Sequence, residues 1–226
     1  LGIFGAASKI AMIMSMITQA FRYAYEPFVF GKSRDKDNKE TYARDMKFFI
    51  IFTLLAFLVV MGYMDILRHI IGRDYWVGLK VVPIVMAGGI MTGVYFNLSF
   101  WYKLIDKTIW GAYFSGIGCA VIIGINVIFV PRYGYIACAW AGFLGNATAM
   151  ILSYIVGQRK YPIAYPLKSI FVYVLIGGLF FAGITISNER LSAPLALTVN
   201  TIIILLFVAH VLYHDLPLIK IRRHKS

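Results

Sequence analysis

Apolar residues run in long blocks along this chain, and charged residues interrupt them at intervals. Between Lys47 and Asp65 lie 17 uncharged residues, and between Lys80 and Lys103 lie 22. Between Lys107 and Arg132 lie 24, and between Arg132 and Arg159 lie 26. Two more blocks, of 20 and 24, fill the stretches from Lys168 to Glu189 and from Arg190 to Asp215. A helix crossing a bilayer needs about 20 mostly apolar residues, so each block predicts one span. The first 30 residues predict a seventh, apolar but carrying Lys9, Arg22 and Glu26. The expected spans are 1–30, 46–66, 80–102, 108–130, 134–157, 168–188 and 192–214. The expected fold is an all-α integral membrane bundle of about seven transmembrane helices.

Composition agrees. Of the 226 residues, 60% are hydrophobic and 14% charged, where soluble domains carry roughly 25% charged residues. Mean hydropathy is +0.76. This excludes a soluble enzyme with an ordinary surface. The 15 Tyr, 17 Phe and 4 Trp exclude a disordered basic tail, since such tails are poor in aromatics.

The net charge of +12 then has a topological reading. The loops 31–47, 103–107 and 159–168 and the tail 215–226 carry fifteen Lys and Arg. The alternate loops carry five: Arg68, Arg73, Lys80, Arg132 and Arg190. Basic residues accumulate in cytoplasmic loops, so the first set and the C-terminus are expected in the cytoplasm. No nucleic-acid partner is needed to explain the charge, and no recognition motif for one occurs. The chain opens at Leu1 directly into apolar sequence, as expected of a fragment of a longer protein.

Catalytic and metal motifs are weak. Asp35-Lys36-Asp37 has the DxD spacing with which glycosyltransferases hold a divalent cation, but it sits in a short charged loop without a domain around it. His210 and His214 are four apart, yet Val211 stands where a zinc hydrolase would carry Glu. Cys119 and Cys138 lie apart in apolar blocks and read as packing residues. Neither a metal, a cofactor nor an enzymatic activity is expected.

Charges inside a span are costly and usually face protein or an aqueous cavity. At 100° per residue, Ser8, Ser15, Gln19, Arg22 and Glu26 fall within about 60° on the first helix. Arg22 and Glu26 are four apart and can pair; Pro27, next, is expected to kink or end the helix. One reading has the stripe facing a polar cavity, with Arg22 offered to a phosphate group. The other has a structural pair near the interface, with Arg22 snorkelling. Lys9 sits about 140° from Arg22, placed to snorkel to the outer interface or to reach a cavity. Gly89, Gly93 and Asn97 follow at i+4 spacing, giving a close-packing seam with a buried Asn or an Asn for sugar hydroxyls. Asn126 and Asn146 read as interhelical hydrogen-bonding residues. The Asn97 and Asn146 sequons lie within spans, so glycosylation there is not expected.

Lys107-Thr108 opens one span, Asn126 lies near its far end, and Pro131-Arg132-Tyr133-Gly134-Tyr135-Ile136-Ala137-Cys138-Ala139-Trp140-Ala141 follows. This resembles the "kT … N … iP.yG..GaA.A" stretch of polysaccharide flippases of the multidrug/oligosaccharidyl-lipid/polysaccharide exporter superfamily. Ile136 departs from it, standing where the family more often has Gly. Leu1-Gly2-Ile3-Phe4-Gly5-Ala6-Ala7-Ser8-Lys9-Ile10 is similar to the family's "lG.y..a.k" opening. Gln19 to Phe28 looks like the end of that helix in lipopolysaccharide biosynthesis proteins.

The resemblance implies the second, C-terminal bundle of a two-lobed transporter in the bacterial inner membrane. It implies alternating access that moves a polyprenyl-pyrophosphate-linked oligosaccharide, with membrane lipids and a coupling ion, H⁺ or Na⁺, as further partners. Arg22 would meet the pyrophosphate, with Gln19, Ser15 and Asn97 as sugar contacts. Glu26 would balance Arg22 or couple a proton. A multidrug exporter or lipid II flippase of the same superfamily is the alternative. A cationic-drug site should show more intramembrane acids than Glu26. A membrane-embedded polymerase or ligase is disfavoured by the short outer loops, and a non-transporting membrane subunit stays open.

Overall fold

The computed structural model describes residues 2–32 and 38–223, excepting the side chains of Lys32 and of 216–223. The Asp35-Lys36-Asp37 motif lies outside the described residues. The elements are α1 (Gly2–Lys32), α2 (Asn38–Gly62), α3 (Met64–Leu67), two 3₁₀ stretches (Arg68–Ile70 and Arg73–Val81), α4 (Val82–Leu98), α5 (Phe100–Leu104), α6 (Ile109–Tyr133), α7 (Tyr135–Lys160), α8 (Leu167–Arg190) and α9 (Ala193–Arg223). Among the described residues there is no strand. Seven segments are long and apolar enough to cross a membrane. The fold is thus an all-α membrane bundle, and the chain is a multi-pass membrane protein.

Two boundaries differ from expectation. The second helix starts at Asn38, ahead of residue 46, because Asn38 to Lys47 form polar turns before the apolar run. The third crossing is composite: the 3₁₀ stretch Arg73–Val81 leads into α4 and α5, and the crossing runs from Arg73 to Leu104. Nor does Pro27 end α1, which continues to Lys32. Proline removes only the bond to the Tyr23 carbonyl. Beyond it the turn is held from outside, where the Tyr42 hydroxyl donates to the Val29 carbonyl at 3.1 Å.

Packing runs α6 on α7, α7 on α4 and α4 on α1; α2 meets α1 and α4, and α8 and α9 pack on α2 and on each other. Met14, Leu58, Met86 and Phe207, from four different helices, are wholly buried in one cluster. In a bilayer such contacts hold by close fit rather than by escape from water. The seam on α4 shows how close. A Cβ added to Gly93 would lie 2.3 Å from Phe49 Cζ and 2.8 Å from Thr18 Cγ2. The turn from α6 to α7 is equally demanding: Gly134 has φ +58°, a conformation that costs residues with a Cβ.

Candidate functional site

α1 buries Ala7, Ala11, Met14, Thr18, Tyr25 and Val29. These positions centre about 90° around the helix from the polar stripe. The stripe therefore runs along the edge of the buried face. Ser8, Arg22 and Glu26 are half-buried, while Ser15, Gln19 and Lys9 are exposed. The side chains of these last three have no polar partner among the described residues.

Arg22 and Glu26 form the expected pair, with Arg22 Nε 3.7 Å from Glu26 Oε2. A third group joins them. Lys103 of α5 donates from Nζ to Glu26 Oε1 at 2.5 Å. Two cations thus share one carboxylate, and the cluster keeps a net positive charge. The Arg22 guanidinium lies over the Phe96 ring, 4.8 Å from its centroid, and its Nε has no hydrogen-bond partner. The Lys103 ammonium lies 5.3 Å from the Phe100 ring.

Asn97 comes to the same place. Together with Thr18, Phe21, Arg22, Tyr25 and Phe96 it lines a recess of about 10 Å³, which is room for about one water. Its Nδ2 donates to the Gly93 carbonyl at 3.1 Å, while its Oδ1 is buried without a partner. That acceptor is the group a donor entering the recess would satisfy.

The structure therefore gathers Arg22, Glu26 and Asn97. Ser15 and Gln19 follow within two turns along the same edge of α1. Lys9 is 13 residues from Arg22, about 20 Å along the helix, and takes no part in the cluster.

Lys103 is the residue the sequence does not reveal, because it enters only as the first charge after an apolar block. The signal was the run Phe100-Trp101-Tyr102 just before it, since aromatic residues gather at membrane interfaces. A second cluster is equally hidden. Lys47 of α2 and Tyr173 of α8 both donate to the carboxylate of Asp215 on α9. The His210 ring packs against Tyr173 and His214 against His210, with centroids 5.7 and 4.6 Å apart. Asp215 is thus committed to Lys47 and Tyr173. Among the described residues no three His, Cys, Asp or Glu group together to hold a metal.

Comparison with protein-family models, with curated proteins and with solved structures finds no match.

Proposed function

We propose that this chain forms one lobe of a flippase for polyprenyl-pyrophosphate-linked oligosaccharides in the bacterial inner membrane, its Arg22 end in the cytoplasm. The observation that carries this reading is the Arg22–Glu26–Lys103 cluster. A guanidinium and an ammonium at the edge of the bundle suit the oxygens of a pyrophosphate. Glu26 holds both cations until the anion replaces it. Gln19 and Ser15, exposed beside them, offer hydrogen bonds to sugar hydroxyls. Asn97 joins when the recess opens.

The exposed polar edge of α1 supports the same reading. Polar groups on a spanning helix are costly against lipid. A second lobe facing α1 across a water-filled cavity removes that cost. The fifteen-to-five distribution of basic residues supports the orientation. In the mechanism, the head group crosses the cavity while its lipid tail stays in hydrocarbon, and no covalent bond changes.

The test is surface polysaccharide in cells that depend on the full-length protein. Arg22→Ala and Lys103→Ala should each abolish it with the protein still in the membrane, and Arg22→Lys should retain part. Normal polysaccharide from both alanine variants would sink the reading.

A further inference from the structure

Away from the charged cluster lies a groove of 660 Å³, floored by α2 and α4 and walled by α7 and α8. Ile50, Leu54, Val94, Met150 and Val174 typify its lining, which is apolar almost throughout. Although consecutive, α7 and α8 scarcely touch, and the gap between them opens the groove sideways. Ile151 and Val174, one on each wall, are 49% and 46% exposed.

Its dimensions limit the occupant. Along α8 the lining runs from Leu167 to Phe181, 14 residue steps or about 21 Å. On α4 the lining runs from Pro83 to Leu98 and on α7 from Trp140 to Tyr154, much the same length, so the groove is long and narrow. A helix about 10 Å across takes about 1,600 Å³ over that length, more than the 660 Å³ available; a single hydrocarbon chain is thin enough to enter. The interfacial end is also chemically distinct. Tyr154 and Tyr165 lie there with ring centroids 6.1 Å apart. Burial, reinforced by Tyr154 and Tyr161, pushes the Tyr165 phenol above its ordinary range, so its hydroxyl stays a donor. Lys168, in the first turn of α8 beside Leu167, is exposed and has no ion pair among the described residues.

We propose that this groove seats one acyl chain of an anionic phospholipid, whose head group is met by Lys168. The chain fills the gap between α7 and α8 that the protein leaves open. The seat is separate from the Arg22 cluster and stands whether or not the transport reading holds.

The experiment places the full-length protein in nanodiscs. It uses phosphatidylglycerol with a photoactivatable diazirine on one acyl chain, and phosphatidylcholine carrying the same chain. Adducts are mapped by mass spectrometry, with the outer face of α6 around Val127, 70% exposed, reporting bulk lipid. Groove residues such as Ile151 and Val174 should label with phosphatidylglycerol about fivefold more than with phosphatidylcholine, as about 1 kcal/mol per basic residue implies. Lys168→Glu should erase that preference. Gly178 lines the groove, and a Cβ there meets nothing within 4 Å, so Gly178→Phe plugs it without a backbone clash. Groove labelling should then fall about tenfold (about 1.4 kcal/mol), with α6 labelling unchanged. Groove labelling that is no richer than α6 in the wild type, or that survives Gly178→Phe, overturns the seat. Equal labelling by the two lipids overturns the anionic assignment.

Discussion

Lys47 and Asp215, 168 residues apart in sequence, meet as a buried ion pair that ties α2 to α9, and Tyr173 of α8 donates to the other carboxylate oxygen at 2.6 Å. Three helices are joined at one carboxylate. The Asp215 side chain is only 5% exposed and that of Lys47 14%. The Lys47 ammonium also lies 5.4 Å from the Tyr173 ring.

Removing one member of a buried pair strands the other charge, at a cost of about 3–5 kcal/mol. Asp215→Asn and Lys47→Met should therefore each lower the thermal unfolding midpoint sharply in detergent. The double variant Lys47→Met/Asp215→Leu leaves no stranded charge and should recover most of the loss. A double variant as unstable as the sum of the two singles would show that the pair is not coupled.

Sequence periodicity located the helices well and the contacts between them poorly. Each span follows from an uncharged block, which is a local property. The Arg22–Glu26 pair is legible for the same reason, since i,i+4 spacing fixes it. Lys103 and Asp215 are different. Each reads as a boundary charge, and each acquires its partner only when helices distant in sequence pack together. Lys47, likewise counted as a loop charge, faces inward because α2 begins at Asn38 and carries it onto the buried face. The seam of Gly89 and Gly93 was visible as spacing, but not that Met14, Thr18 and Phe49 would fill it.

Glu26 is the internal competitor of any anion at Arg22 and Lys103. On the transport reading, Glu26→Gln should tighten inorganic pyrophosphate binding to the full-length protein by about tenfold. Arg22→Ala should abolish it. Isothermal titration at two salt concentrations checks both, since exposed charge contacts weaken with salt. Because Arg22 and Glu26 are partly exposed, the pair itself contributes little to stability. The Glu26→Gln unfolding midpoint should barely move. Unchanged or weaker pyrophosphate binding in that variant would argue against competition.

The glycines of α4 and α8 form a graded series for alanine substitution. At Gly93 the new methyl meets the ring of Phe49 at 2.3 Å, with Thr18 close behind. Overpacking of this kind costs about 1–3 kcal/mol. At Gly89 it meets Met14 Cγ at 2.9 Å and Cβ at 3.4 Å, a milder overlap than at Gly93, so the cost is smaller. At Gly178 it meets nothing, and the helix gains about 0.5–1 kcal/mol from losing a glycine. Unfolding midpoints should fall in the order Gly178→Ala, Gly89→Ala, Gly93→Ala, with the first at or above wild type.

The α6–α7 turn isolates backbone strain from packing. Gly134 has φ +58°, yet a Cβ there would touch nothing within 4 Å. Any cost of Gly134→Ala is therefore conformational, since φ +58° with ψ −135° is a region that glycine alone ordinarily occupies, at about 1–3 kcal/mol for a residue with a Cβ. Gly134→Asn should cost about as much, because asparagine tolerates the left-handed helical region, with ψ about +47°, whereas Gly134 has ψ −135°. The two variants bury the same surroundings, so a packing effect would penalise the larger Asn more. Equilibrium unfolding of both separates the explanations: equal losses place the requirement in the backbone of the turn, and Ala well above Asn places it in space the structure shows to be open.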